Sequence, residues 1–363
     1  MVCKRVAYYQ FRNIEQAALE LDRGVNVLYG KNAQGKTNAL EGIYLMAQGR
    51  SFRMGGESDL IRFGQRQSAV RIWFETDGGE MSLEMRYLQG GRRQCTVNDV
   101  PQKRLSEFIG HFRAVIFCPQ HLSLVREGPS VRRAFADMAL SQLSTAYLRD
   151  LQEYARILQQ RNALIKNCRE VNAAFAQSME PWSVQLAQRA ESISAKREEY
   201  LVRLSEYVRQ IFSDMTDGRE VPDIRYTERK TAQEYEKLLC SNLEREVRQQ
   251  TTLYGTHRDD YEIRLNGLSA RQFSSQGQQR SLALAMKLAE GEISRDSTGE
   301  YPVFLLDDIF SELDAQRRAY IMEGLHDRQV VITSCERHPA SSYYHVEDGH
   351  FTKVNGEGEV PSA

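Results

Sequence analysis

The chain has 363 residues, nearly equal numbers of basic and acidic side chains and a net charge near −1. A uniformly basic nucleic-acid binder is thereby excluded, and any attraction to polyanions has to come from a local patch. No apolar run reaches membrane-spanning length and the start, Met1-Val2-Cys3-Lys4-Arg5, has no signal-peptide core, so a cytoplasmic protein of one large or two ordinary domains is expected, with no membrane partner.

The six cysteines form no C-x-x-C pair and the seven histidines show no ligand spacing, so reduced thiols and no structural metal are expected. Residues 5–29 read as two strands joined by a turn at Phe11-Arg12-Asn13, with Asp22-Arg23-Gly24 turning into the apolar run before a G-x-x-x-x-G-K-T loop, Gly30-Lys31-Asn32-Ala33-Gln34-Gly35-Lys36-Thr37. In such a P-loop the glycines let successive backbone N–H groups face a phosphate. Lys36 reaches the β- and γ-phosphates and the Thr37 hydroxyl is placed to ligate Mg²⁺. The following helix turns its positive end toward the same anion. Gly49-Arg50-Ser51-Phe52-Arg53 comes next, and its two arginines either ligate phosphate or face water.

Residues 69–97 alternate as a three-strand meander turned at Gly78-Gly79 and Gly90-Gly91 and ended by Asn98-Asp99. Residues 86–113 concentrate Arg86, Arg92, Arg93, Lys103, Arg104 and Arg113 against Asp99 and Glu107, whereas residues 301–363 are predominantly acidic. One face can therefore be basic on a neutral whole, although a solvated face has the same appearance. The run Ala114-Val115-Ile116-Phe117 is a buried strand, and Pro119 ends it and leaves Gln120 in a loop.

Tyr147, Leu151, Tyr154, Leu158 and Ile165 recur at helical spacing, as do Leu186, Ala190, Ile193, Tyr200, Leu204, Tyr207 and Ile211, with Pro181 between the two stretches. Two long antiparallel helices follow, about 45 Å each if about 30 residues long. No heptad is sustained. Residues 252–267 return to β, so 121–250 reads as an inserted all-helical lobe between the two parts, 1–120 and 251–363, of one α/β unit. The Gly/Glu-rich tail after Val354 is expected to fray.

The strand Tyr301-Pro302-Val303-Phe304-Leu305-Leu306-Asp307-Asp308 ends in two acids, where parallel sheets bind ligands. Asp307 is expected to hold Mg²⁺ or its water. Asp308 is expected to orient or deprotonate the attacking water. Ser275 and Gly277 open a helix and make a second anion site, which one chain does not need for one triphosphate. The economical assignment gives it to the ATP of a second copy facing head to tail.

This P-loop, the Ser-x-Gly-Gln turn, the Asp-Asp strand and the Ser311-Glu312-Leu313-Asp314 loop together resemble the ABC-type ATPases of the chromosome-maintenance class. Phe11-Arg12-Asn13, Gly35-Lys36-Thr37-Asn38, Gly49-Arg50-Ser51-Phe52-Arg53, Arg132-Arg133, His257-Arg258-Asp259-Asp260 and above all Ser275-Gln276-Gly277-Gln278-Gln279-Arg280 look like the RecF family of bacterial recombination mediators, nearly end to end. The resemblance implies an ABC-ATPase-type α/β fold with a mixed sheet. It also implies a weak DNA-dependent ATPase using ATP and Mg²⁺, and an ATP-dependent homodimer on single- and double-stranded, gapped or junction DNA, with RecO and RecR as partners in loading recombinase.

The resemblance places Arg12, Asn13, Gly30, Lys31, Asn32, Ala33, Gln34, Gly35, Lys36, Thr37, Ser275, Gly277 and Gln278 at the nucleotide, with Asp314 in the D-loop role. Gln120 takes the Q-loop role, at the metal and in catalysis beside Lys36 and Asp308. Ala33 and Thr256 replace a glycine and a proline common in the RecF family, and Cys335 stands where ABC ATPases usually place a switch histidine. With Asp308 shorter than the usual glutamate, slow turnover is expected. A scaffold that holds ATP structurally is the rival reading, and a nuclease-associated ATPase is disfavoured by the short helical arm.

Overall fold

The computed structural model describes residues 1–354 apart from Met54 and Asp217. The tail after Val354 lies outside the described residues. The chain divides into two units, one made of Met1–Ser123 together with everything from Arg280 on, the other of Leu124–Gln279.

The first unit contains two six-stranded sheets. One is antiparallel, in the order Ile14–Glu20, Val2–Phe11, Gln67–Thr76, Gly79–Leu88, Gln94–Val97, Val100–Gln102. Its strands alternate as the sequence does, with Val6, Tyr8, Val70, Ile72, Phe74, Leu83 and Met85 turned into the core. The expected meander gains a fourth strand. Asn98 and Asp99 both take positive φ, 48° and 63°, so they form a two-residue left-handed hairpin turn that leads into Val100–Gln102 and does not end the sheet.

The second sheet runs His350–Val354, Ser342–Glu347, Val25–Tyr29, Val330–Ser334, Val303–Asp307, Ala114–Phe117, parallel throughout except at the terminal hairpin. The apolar strand before the P-loop thus belongs to a different sheet from the hairpin that precedes it. Between the sheets lies the helix Lys36–Gln48, buried almost all round because it touches both. Tyr8 donates its hydroxyl to Ala39 O at 2.7 Å, and a Cβ at Gly42 would stand 2.4 Å from the Tyr8 ring, so the small residue sets the closeness of helix and sheet.

In the second unit, helices Pro129–Leu143, Thr145–Asn167, Ala173–Thr216, Ala232–Ser241 and Leu243–Gln249 surround an antiparallel sheet ordered Leu268–Ser269, Tyr261–Leu265, Pro222–Tyr226. The insertion is therefore not all helical, and it does not stop at residue 250. Strand Pro222–Tyr226 pairs with Tyr261–Leu265, Ile224 against Ile263, and carries the unit on to Gln279. Pro181 does not separate the two long helices; it lies within Ala173–Thr216 on the exposed side. The break comes at residues 168–172, where the Asn172 side chain caps the new helix by accepting from Phe175 N at 2.8 Å. Packing of Leu186, Ala190, Ile193, Leu204 and Phe212 outweighs the hydrogen bond that proline forgoes.

Buried ion pairs hold this unit together. Arg161 and Glu246, both fully buried, meet at 2.7 Å. Arg197 grips Asp137 at 2.9 and 3.0 Å and donates to Thr256 O at 2.8 Å, and Arg132 pairs with both oxygens of Asp260 at 2.8 and 2.7 Å. Among the described residues no helix is long and apolar enough to cross a membrane.

Candidate functional site

The P-loop leaves the carboxyl end of Val25–Tyr29 and is fixed by close approach. Gly30 has φ +151° and a Cβ there would lie 2.3 Å from Val346 O; Gly35 has φ +113° and its Cβ would meet Asn13 Oδ1 at 2.8 Å. Ala33 also takes a left-handed φ of 66°, a conformation glycine adopts without strain and alanine does not. The tip is pinned from two sides. Asn13 Nδ2 donates to Gln34 O at 3.2 Å, while Gly349 N donates to Gln34 O at 2.9 Å and Asp348 N to Gln34 Oε1 at 2.7 Å.

Lys36 arches over the loop, its Nζ donating to Gly30 O at 2.5 Å and Lys31 O at 2.7 Å. One residue on, Thr37 Oγ1 donates to Asp307 Oδ1 at 2.7 Å, and Thr333 Oγ1 donates to the same oxygen at 2.8 Å. Register explains the second contact, because Asp307 and Thr333 are opposite one another in neighbouring parallel strands. Asp308 follows in a left-handed conformation, φ 48°, its N–H held by Thr333 Oγ1 at 3.0 Å. Burial, and then the charge of Asp307, raise the pKa of the Asp308 carboxyl.

These residues enclose a cleft of about 490 Å³ lined by Asn13, Asn32, Ala33, Gln34, Gly35, Lys36, Thr37, Asn38, Phe52, Arg53, Pro119, Gln120, Asp307, Asp308 and Thr333. That is the size of an ordinary ligand site. A glycine-bounded loop, one lysine and a carboxylate–hydroxyl pair make it suited to a polyphosphate and a hard cation.

Arg12 is placed otherwise than the sequence implied. It forms a bidentate pair with Glu41 at 2.6 and 2.9 Å, donates to Asp59 O at 2.9 Å, and is not among the cleft-lining residues. Arg53 does line the cleft, donating to Asn38 Oδ1 at 2.7 Å, and Asn38 Nδ2 in turn donates to Asn13 Oδ1 at 2.7 Å. Of the two arginines left open by the sequence, Arg53 is the one at the cleft. Glu41, fully buried, holds Arg12, the Ser51 hydroxyl and, at 3.5 Å, Arg53. It was missed in the sequence, although a lone acid inside Ala39-Leu40-Glu41-Gly42-Ile43 was the available signal.

Ser275, Gly277 and Gln278 belong to the second unit. They open the helix Gln276–Thr298 as a reciprocal cap, Ser275 N donating to Gln278 Oε1 at 2.7 Å and Gln278 N to Ser275 Oγ at 3.2 Å. Gln278 Nε2 also donates to Glu220. Asp314 caps Ala315–Gly324, accepting from Arg317 N at 2.9 Å. At the position of the usual switch histidine, the Cys335 thiol donates to Asn32 Oδ1 at 3.0 Å, while His338 lies 2.9 Å from Ser334 Oγ with its ring edge-on to Phe310. Burial lowers the His338 pKa and keeps it neutral.

A P-loop helix between a mixed, mainly parallel sheet and an antiparallel one, with an acid-ended strand across from the loop, defines a P-loop ATPase head of the ABC type, and comparison with known proteins agrees. Residues 2–349 match the family model described as the RecF/RecN/SMC N-terminal domain. The chain is 36% identical to the DNA replication and repair protein RecF of Acetivibrio thermocellus over 93% of its own length and 94% of the relative's. It is 38% identical to the RecF of Staphylococcus carnosus, over 89% and 90%. A solved structure of the recombination mediator protein RecF with ATP superposes with a TM-score of 0.92 at 33% identity, covering 98% of each chain. The Smc head domain of Pyrococcus furiosus superposes with a TM-score of 0.57 at 15% identity over 97% of this chain and 96% of that one, a likeness of fold alone. The chain belongs to the RecF family.

Proposed function

We propose that the protein is an ATP-switched DNA-binding protein of recombinational repair and replication-fork maintenance. ATP occupies the cleft, with its phosphates on Gly35, Lys36 and Thr37. Thr37, Asp307 and Gln120 would hold Mg²⁺, and their hard oxygen donors suit a small ion that keeps waters and takes phosphate oxygens. Held there, it would supply positive charge to offset that of the phosphates. Two copies pair head to tail when ATP binds, each offering Ser275 and Gly277 to the other's γ-phosphate and Asp314 to the shared seam. The pair clamps duplex, gapped or junction DNA and, with RecO and RecR, helps load recombinase on single strands. Slow hydrolysis, with Asp308 orienting the water, releases it.

The observation that carries this reading is the Ser275 turn itself, a solvent-exposed helix start whose cap is a labile side-chain pair, Ser275 with Gln278. Helix starts favour anions, so the second copy's γ-phosphate would take the place of the Gln278 side chain at Ser275 N. Sedimentation with and without ATP, for wild type and Ser275→Arg, tests it: wild type is expected to pair with ATP and the variant to stay single. Equal pairing by both removes the shared-site mechanism. Single-turnover hydrolysis lost in Lys36→Ala and in Asp308→Asn separates a switch from a scaffold that only stores ATP.

A further inference from the structure

One end of the antiparallel sheet carries a feature that the nucleotide cleft does not use. Residues 62–65 form a tight turn closed by Gln65 N donating to Arg62 O at 3.0 Å, with Gly64 at φ +81°. Phe63, at its tip, is 101% exposed, the most exposed large apolar side chain among the described residues. The turn is anchored on both sides, Arg62 N donating to Gln10 O at 2.8 Å and Gln89 N to Arg66 O at 2.9 Å. The ring's exposure therefore belongs to an ordered turn held between two strands.

The second anchor brings in the turn after Gly79–Leu88, so Phe63 shares this sheet end with Leu88, Arg62, Arg66, Arg92 and Arg93. Arg62 is paired with Glu15 at 2.6 Å and Arg93 with Glu57 at 2.8 Å. Arg66 and Arg92 are exposed, and among the described residues neither has an ion pair. Here the basic run seen in the sequence meets an aromatic ring.

We propose that this sheet end contacts nucleic acid, Phe63 stacking on an unpaired base while Arg66 and Arg92 hold flanking phosphates. The proposal rests on the DNA-binding reading above and adds which surface touches DNA and that it reads unpaired bases. A single ring on a stiff turn among arginines fits a base, since every base offers a π face and neighbouring phosphates need cations. A protein partner would call for a contiguous apolar patch, and here Phe63 and Leu88 stand among charges. The turn is also tied to the P-loop helix: Ile61, just before it, bridges Phe11, and the residue after Phe11, Arg12, grips Glu41 of that helix.

The test uses the full chain with ATP, a gapped duplex carrying 2-aminopurine as its first unpaired base, and an intact duplex of equal length. Phe63→Ala is expected to bind the gapped DNA about tenfold more weakly. It should also lose the 2-aminopurine change, with intact-duplex affinity and ATP-dependent pairing unaltered. Phe63→Trp is expected to restore the signal and to have its own emission quenched by the gap. Arg66→Ala with Arg92→Ala should weaken both DNAs and lower the salt slope of log K by about 2. The proposal is overturned if Phe63→Ala matches wild type in gap affinity and 2-aminopurine response, or if it loses binding to a protein partner while keeping both. A wild type that binds neither DNA would bring down the functional reading itself, an outcome distinct from a wild type that binds and a Phe63 variant that binds identically.

Discussion

Glu41, fully buried in the P-loop helix, accepts two hydrogen bonds from the Arg12 guanidinium, at 2.6 and 2.9 Å. The pair joins the first hairpin to the helix that carries Lys36 and Thr37, and Arg53 completes it from the cleft side. Removing one partner strands the other charge away from water, which typically costs about 3–5 kcal/mol. Glu41→Ala is expected to lose stability on that scale in urea titrations followed by Trp73 fluorescence, and to weaken nucleotide binding by releasing Arg53. A loss below about 1 kcal/mol would mean that the pair does not brace the helix.

Asp307 is held by two hydroxyls, those of Thr37 and Thr333, and Asn in its place can still accept from both. Asp307→Asn is therefore expected to keep the unfolding midpoint while losing the charge proposed to hold Mg²⁺. Single-turnover hydrolysis should fall by at least about 100-fold, the usual effect of removing one preorganised electrostatic partner. Calorimetric titration of nucleotide should lose its dependence on Mg²⁺. Retained Mg²⁺ dependence would remove Asp307 from the metal site.

For its proposed role at the attacking water Asp308 must be ionised, and burial together with the Asp307 charge raises its pKa. The single-turnover rate is then expected to fall, as pH is lowered, through a value above the ordinary aspartate figure of about 3.9. Glu312 contributes to the same shift, so Glu312→Gln should move this acidic limb to lower pH. A limb that stays put in the variant argues against Asp308 as the titrating group.

His257 is kept neutral in the second unit. Thr252 O can only accept, so Nε2, 3.1 Å away, carries the proton and Nδ1 accepts from the Tyr154 hydroxyl at 2.7 Å. Burial, aided by the positive field of Arg258, lowers its pKa to about 4. The unfolded imidazole titrates near 6.5 and takes up a proton that the folded one refuses. Stability is therefore complete above about pH 6.5 and declines as pH falls toward 4, by up to about 3 kcal/mol. In a Trp73→Phe background, Trp182 emission during urea unfolding should report this decline, and His257→Gln should flatten it. An unaltered slope in the variant would assign the decline to other groups.

The nucleotide loop, its helix and the acid-ended strand were legible because each is a local pattern: glycine spacing, helical burial, an apolar run ending in Asp307-Asp308. What escaped depends on pairing between distant segments. Thr333 becomes a partner of Asp307 only through the parallel register, and Arg12 turns to Glu41 only once the hairpin packs on the helix. The strand Pro222–Tyr226 looked like part of a helical insertion because its partner, Tyr261–Leu265, lies beyond the second helical pair. Pro181 misled for the opposite reason, since a strong local rule yielded to the packing of a long helix. In the sequence Asn98-Asp99 reads as an end, because two small polar residues mark a stop and a reversal alike. The Ser275 turn was legible as a helix start, whereas the engagement of Gln278 with Ser275 and Glu220 was not.

The hairpin turn at Asp348-Gly349 holds the tip of a loop made more than three hundred residues earlier, and Gly349, at φ +80°, has room for no side chain: a Cβ would lie 2.6 Å from Asn13 O. This imposes an order of events during synthesis. The loop is translated long before the turn that pins its tip, so its final form waits on residues made near the close of the described chain. Gly349→Val, a change at the far end of the polypeptide, should accordingly slacken the loop and cost at least about tenfold in ATP affinity by calorimetry, a drop of about 1.4 kcal/mol.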